Sequence, residues 1–275
     1  MRKIKQKADY LRRVIHIFRG LSIIQWYYLV HFCDTNRESR LKTLKLRGFV
    51  VKEITVRSNS SDVWLTANLL VGRQKEGFEG DYDKVIEIVE MNFAPEGKIN
   101  VIDAGANIGL FALLVKNRYP DADVYLIEPD KDNYMLLKKN MSKLSGIHLF
   151  EAGLWYKDAY LEIINPEATD WSKRVAEVSD GEGIHAVTID DIIEENNIDD
   201  ISVVKMDIEG SEYYVFKYGS EKWIKRSRSI VIETHDKYVK GTDELVNETM
   251  EKNNFSKMTV GENQVFFKSN EHIRV

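Results

Sequence analysis

The chain has 275 residues, 43% of them hydrophobic, and a formal net charge of −5, which supplies one sizeable core and is too short for two full-sized domains. The charge is segregated, with twelve Lys and Arg against three Asp and Glu in residues 1–50, so that this stretch is +9 and the remainder −14. An acidic body repels phosphate backbones and disfavours a nucleic-acid partner, and a lone Cys33 forms no internal disulfide and suits a reducing, cytoplasmic setting.

From the N-terminus, Leu11, Val14, Ile15, Phe18, Leu21, Ile24, Tyr28 and Leu29 recur at helical spacing with Arg12, Arg13 and Arg19 between them, so residues 1–45 are expected to form a basic helical appendage. Its uncharged run, Gly20–Cys33, spans 14 residues and is short for crossing a bilayer. Positive charge interleaved with Trp26, Tyr27, Tyr28 and Phe32 instead predicts docking on a protein partner or on the inner face of a membrane, with a helical cap folded onto the main domain as the equal alternative. The main domain is expected over 46–275. It should begin with a β-hairpin over 49–70, formed by Phe49–Arg57 and Val63–Leu70 around the polar turn Ser58–Asp62. A helix over Tyr82–Met91 follows, and the core proper starts at about 80.

From Lys98 the pattern alternates. Ile99–Asp103, Asp123–Glu128 and Ile147–Ala152 read as strands, Asn107–Tyr119 and Asp130–Lys143 as helices, an order that predicts an α/β Rossmann-like fold with a parallel sheet covered on both faces. Residues 153–188 break the rhythm, with a hairpin expected around Tyr156–Asp158 and substrate contacts from the surrounding loops. A short helix after Thr188, the strand Ser202–Asp207, a helix over Ser211–Tyr218, the strand Ser229–Glu233 and a helix near Asp243–Lys252 resume the alternation. Phe255–Val260 and Gln264–Lys268 around Gly261-Glu262-Asn263 close the chain as an antiparallel hairpin.

The segment Val101–Gly109 is an apolar strand running into a small-residue turn that opens a helix. Gly105 removes the side chain where a ligand approaches backbone, the free amides of the helix start hold a polar group, and Gly109 allows close packing. Asp103 and Asn107 add polar groups beside the same crevice. Glu128 ends the next strand 23 positions beyond Gly105, where a doubly wound sheet presents an acid to ribose hydroxyls. No glycine stands at position 107, so the turn departs from the Gly-x-Gly-x-x-Gly of dinucleotide enzymes and favours S-adenosylmethionine over NAD. A NAD-dependent oxidoreductase and a non-catalytic nucleotide-sensing module remain the alternatives.

A second cluster, Lys205-Met206-Asp207-Ile208-Glu209-Gly210-Ser211-Glu212, ends the strand expected next to the first, and Glu233-Thr234-His235-Asp236 ends its neighbour. Carboxylates crowded at a strand tip call for solvent, a cation or a ligand; capping and ion pairing are an equal reading for Glu212 and Asp236.

These elements together resemble the FkbM-type methyltransferases: Asp103-Ala-Gly-Ala-Asn-Ile-Gly109, Glu128-Pro129, Val187-Thr-Ile-Asp-Asp191, Lys205-x-Asp207-x-Glu209-Gly210-x-Glu212, Tyr218-Gly219 and Glu233-Thr-His235, in order over about residues 80–235. The resemblance implies a class I methyltransferase fold, S-adenosylmethionine as donor, and O-methylation of a glycan or similar polyhydroxyl or natural-product acceptor. Asp103, Gly105, Asn107, Gly109 and Glu128, read from the turn and the strand end, are the candidates to line the cofactor, with Asp207 as an alternative partner for its amino group. Removing a hydroxyl proton calls for a base or a metal that acidifies it, with Asp207, Glu209 and His235 as candidates; carboxylates with imidazole would suit Mg or Mn. Trp155, Tyr156, Tyr160 and Trp171 are candidates for stacking on sugar faces.

Overall fold

The computed structural model describes residues 11–20, 40–71, 81–92, 97–168, 172–179 and 181–268. Trp26, Tyr27, Tyr28 and Phe32, on which the docking expectation rests, lie outside them, as does Trp171. No helix among the described residues is long and apolar enough to cross a membrane.

A seven-stranded sheet carries the architecture. Strands β4 (Asn100–Ala104), β5 (Asp123–Ile127), β6 (Ile147–Phe150), β11 (Ile201–Met206) and β12 (Ser227–Ile232) run parallel, and β14 (Asn263–Phe267) and β13 (Ser256–Val260) add the antiparallel hairpin, in the spatial order β13-β14-β12-β11-β4-β5-β6. This is the parallel sheet with a closing antiparallel hairpin that the alternation predicted, and the class I methyltransferase arrangement that the resemblance implies. The chain steps outward from β4 through β5 to one edge and returns through β11 to the other, so a crevice opens beyond the carboxyl ends of β4 and β11.

Pleating sorts the core into two layers. Val101, Val124, Leu126, Val203 and Val231 face α1 (Asp62–Val71), α2 (Asp81–Asn92), α3 (Leu110–Arg118) and α4 (Lys131–Met141). Ile102, Ala104, Ile127, Val204, Met206 and Ile230 face α5 (Ile189–Glu195), α6 (Glu212–Gly219), α7 (Trp223–Arg226) and α8 (Thr242–Lys252).

The expected hairpin over 49–70 is overturned. Its first strand exists in shortened form as β3 (Glu53–Arg57), but it pairs with β2 (Leu41–Leu46), which in turn pairs with β1 (Phe18–Arg19). The expected second strand is α1. Val63, Thr66, Ala67 and Leu70 are all buried, and their spacing of three, one and three residues is a helical stripe that no strand can turn to one face. β2 also runs across the boundary expected at residue 45. This N-terminal sheet docks on α4: Asn140 Oδ1 accepts from Thr55 N at 2.8 Å, and Asn140 Nδ2 donates to Thr55 O at 3.1 Å and Ile108 O at 3.0 Å.

The hairpin expected around Tyr156–Asp158 is also corrected. The flanking strands β7 (Gly153–Leu154) and β8 (Tyr160–Ile163) are separated by β10 (Ile184–Val187), in a small sheet of order β7-β10-β8-β9, with β9 at Val175–Val178. Residues 153–188 therefore supply β7 to β10, and Trp155, Leu161 and Ala186 form a satellite core there.

Candidate active site

The crevice is a cleft lined by Tyr82, Gly105, Asn107, Glu128, Asn133, Gly153, Lys173, Lys205, Asp207, Glu209 and Glu233, among others. Its floor is the turn after β4. The helix begins at Leu110, not at Asn107, because Asn107 (φ 49°) and Gly109 (φ 91°) are left-handed and cannot continue a right-handed turn. A Cβ on Gly105 (φ +76°) would stand 1.9 Å from the carbonyl oxygen of Asp207, so the turn after β4 and the tip of β11 touch through bare backbone. A Cβ on Gly109 would meet Leu137 and Met141 at 2.8 Å. Its role is to let α4 approach rather than to line the cleft.

Glu128 and this turn form one unit. Glu128 Oε2 accepts from Asn107 N at 2.8 Å, while Oε1 accepts from Asp130 N at 2.9 Å and Asn133 Nδ2 at 3.3 Å. Arg57 Nη2 donates to Asn133 Oδ1 at 2.7 Å and pairs with Asp62 at 2.8 Å, so β3 braces Glu128 from behind. Burial pushes the Glu128 carboxyl up to about 7, against the pull of the Asp130 and Asn107 amides and Asn133. Asn107 Oδ1 is buried without a hydrogen-bond partner, as an acceptor reserved for a ligand would be. A bare glycine turn, an orphan acceptor and a strand-end acid in one cleft fit a nucleoside-bearing donor.

The Glu128 proton sets a pH dependence. A carboxyl raised in the folded state contributes stability that is fully present below its unfolded value, near 4.5, and lost as pH rises through about 7. Glu128→Gln removes that loss. The variant should therefore gain in melting temperature relative to wild type from about pH 5 to pH 8; parallel melting curves across this range would contradict it.

Asp103 is fully buried and is absent from the cleft lining. It is the register partner of Lys205, whose Nζ lies 3.3 Å from Asp103 Oδ1 and 3.9 Å from Asp207 Oδ2 and donates to Gly105 O at 2.8 Å. Asp103 thus faces Lys205, which donates to the turn, and lies behind the cleft lining. Burial works against the Lys205 charge, but Asp103, Tyr82 and Asp207 outweigh it and hold the ammonium protonated.

Beyond β11 and β12 the structure gathers Asp207, Glu209, Glu233 and His235. His235 is buried; its Nδ1 meets Glu212 Oε1 at 2.8 Å, and its Nε2 lies 3.4 Å from Glu209 Oε2, 3.6 Å from Glu233 Oε1 and 3.9 Å from Asp207 Oδ1. Burial opposes the charge on His235, yet Glu212, Glu209 and Asp207 together lift it to about 9. Glu212 also accepts from Ile208 N at 2.9 Å and Gly210 N at 2.7 Å, and Asp236 accepts from Gly241 N at 2.9 Å and Asp243 N at 3.2 Å. Glu212 therefore braces the loop that enters α6, and Asp236 meets free amides at the start of α8.

A groove beside the cleft is walled by Trp155, Tyr156, Tyr214, Tyr218, Tyr238 and Arg174. Ring centroids are 5.0 Å apart for Trp155–Tyr214 and for Tyr156–Tyr218, and the Arg174 guanidinium lies 4.5 Å over the Tyr238 ring. Glu209 and Ser211 line both spaces. Of the aromatics expected here, Trp155 and Tyr156 are in place. Tyr160 sits edge-on to His185 and does not line the groove.

Sequence reasoning missed Tyr82, Asn133 and Lys173 in the cleft and Tyr214 and Tyr238 in the groove. Tyr82 looked like one more apolar residue of a packing helix. Asn133 had a usable signal, standing three residues after the helix-capping Asp130, whose side chain accepts from its amide at 2.9 Å.

The model of the Methyltransferase FkbM domain matches residues 103–257. The chain is similar to methyltransferase sdnD of Sordaria araneosa, 29% identical over 169 residues that cover 49% of this chain and 65% of that protein. Methyltransferase 1 of Beauveria bassiana (strain ARSEF 2860) is 28% identical over 148 residues, 45% of this chain and 59% of that protein. The chain spans less than two thirds of the length of both relatives. Similar solved structures include a putative caffeoyl-CoA O-methyltransferase from Staphylococcus aureus, with 10% identity, a TM-score of 0.39 and coverage of 69% of this chain and 82% of that one. A precorrin-6y C5,15-methyltransferase from Geobacter metallireducens GS-15 has 11% identity, a TM-score of 0.38 and coverage of 72% and 93%. At these scores the likeness adds nothing to the strand order described above.

Proposed function

Since the chain belongs to the FkbM methyltransferase family, we propose that it methylates a hydroxyl of a glycan or similar polyhydroxyl acceptor, using the S-adenosylmethionine that the family implies. The observation that carries this reading is the position of Glu209, a single carboxylate lining both the glycine-turn cleft and the aromatic groove. When bound, the donor supplies a sulfonium methyl whose carbon–sulfur bond breaks as the new oxygen–carbon bond forms.

The protein's own part is to hold, orient and deprotonate. Gly105, Asn107 and Glu128 hold the nucleoside, with Glu128 accepting from ribose hydroxyls. The rings of Trp155, Tyr156, Tyr214 and Tyr218 offer faces to the C–H side of a sugar, while Arg174 is within the same groove to bind its oxygens. Glu209, at the junction, takes the hydroxyl proton as the new bond forms. Holding donor and acceptor in line supplies much of the rate.

The test is incubation of the purified chain with methyl-tritiated donor and a panel of neutral and acidic oligosaccharides, with the product position read by mass spectrometry. A methyl ether on a sugar hydroxyl is expected. Saturable binding of NAD without binding of S-adenosylmethionine would remove the donor assignment; transfer only to amines or carboxylates would remove the acceptor class.

A further inference from the structure

We infer that Asp207, Glu233 and His235 form a binding site for one divalent cation of the Mn2+ or Mg2+ type, with Glu209 facing it from the groove side. One candidate ligand atom from each of Asp207, Glu233 and His235 lies within 4.8 Å of the others. Ligands about 2.1 Å from such an ion in octahedral geometry stand about 3 to 4.2 Å from one another. The separations from His235 Nε2, 3.6 Å to Glu233 and 3.9 Å to Asp207, fall inside that window while being too long for hydrogen bonds.

An independent observation points the same way. Glu209 is 5% exposed, and its Oε2 is buried with no hydrogen-bond partner, 3.4 Å from the same imidazole nitrogen. A buried carboxylate oxygen left unbonded is costly unless a ligand meets it. Charge points there too. Asp207, Glu209, Glu212 and Glu233 all lie around the one imidazole, and Lys205 is shared between Asp103 and Asp207, so carboxylates outnumber the basic groups they face at the cleft wall.

Glu212 completes the pattern from behind. By engaging Nδ1 it fixes the ring and leaves Nε2 to face the carboxylates, the arrangement by which metal-binding histidines are oriented. Glu212 is thus a positioning residue. Asp207 and Glu233 line the cleft, so the ion has an entry path and open positions for oxygen ligands. Its use there, which rests on the acceptor assignment above, is to bind the acceptor hydroxyl and lower its pKa so that the proton passes to Glu209.

The experiment is a Mn2+ titration of the chelator-stripped full chain, with free Mn2+ followed by its paramagnetic resonance signal and no donor or acceptor present. Wild type should take up one Mn2+ per chain. Asp207→Asn and Glu233→Gln, each checked for a wild-type-like melt, should weaken uptake by tenfold or more, and Glu212→Gln by ~10- to 100-fold through ring orientation. Glu248→Gln, on the exposed face of α8, should bind as wild type. No uptake at millimolar Mn2+, uptake unchanged in both ligand variants, or equal loss in Glu248→Gln would overturn the site. Failure of this titration leaves the methyl-donor reading intact, since donor affinity is measured separately without metal.

Discussion

Gly105→Ala should weaken S-adenosylmethionine binding by roughly 10- to 100-fold, the scale of the ~1–3 kcal/mol that forcing an extra carbon into a packed contact costs. The new Cβ would stand 1.9 Å from the Asp207 carbonyl oxygen and 3.0 Å from its carbon, and backbone has no flexible end to swing aside. Either the turn after β4 lifts, carrying the Asn107 amide away from Glu128, or the tip of β11 retreats with Asp207. Both movements deform the cleft. The residue also sits at φ +76°, which alone costs an alanine about 1 kcal/mol. Gly48→Ala separates the two effects, because Gly48 has φ +82° with nothing within 4 Å of its Cβ position. That control should lose about 1 kcal/mol of stability and bind the cofactor normally. Calorimetric titration with S-adenosylmethionine decides the matter. Wild-type affinity in Gly105→Ala would mean that the turn is free to relax and that the close approach has no part in cofactor binding.

The same contact marks how far the sequence could be read. Strand positions, sheet order and the crevice at β4 and β11 followed from apolar runs alternating with helical stripes, and Gly105 with Glu128 followed from their spacing. What the sequence could not carry was contact between distant segments. Asp103 looked like a cleft residue because it sits two places before Gly105, yet the pleat turns it to the α2 side, where Lys205 meets it 102 positions later in the chain. Val63 and Thr66 invited a strand by their β-branching, although their spacing with Ala67 and Leu70 was helical. The N-terminal sheet joins β2 and β3 across residues 47–52 without the short glycine-rich turn that usually announces a hairpin. The aromatic groove draws Trp155 and Tyr156 from one segment and Tyr214 and Tyr218 from another, a convergence that no local pattern records.

Lys205→Met should destabilise the fold by ~3–5 kcal/mol, the cost of breaking a buried ion pair from one side. Lys205 and Asp103 are both enclosed, and Lys205 Nζ is the cation facing Asp103 Oδ1, at 3.3 Å. Burial already pushes the Asp103 carboxyl upward, and Lys205 is the group that opposes it. Without the ammonium, Asp103 retains its proton in the folded state over a wider range of pH. A carboxyl raised in this way contributes stability below its unfolded value that disappears as pH climbs through the folded one. The deficit of Lys205→Met relative to wild type should therefore be small near pH 4 and grow toward neutrality, where it reaches about 10 °C in melting temperature for a chain of this size. Gly105 O loses its 2.8 Å donor in the same step, so cofactor affinity should fall as well. Adding Asp103→Asn to Lys205→Met removes the stranded carboxylate and should recover stability at neutral pH without restoring cofactor affinity, because the carbonyl of the turn still lacks its donor. A double variant that melts no higher than the single one would show that the lysine acts through packing of its stem and not through its charge.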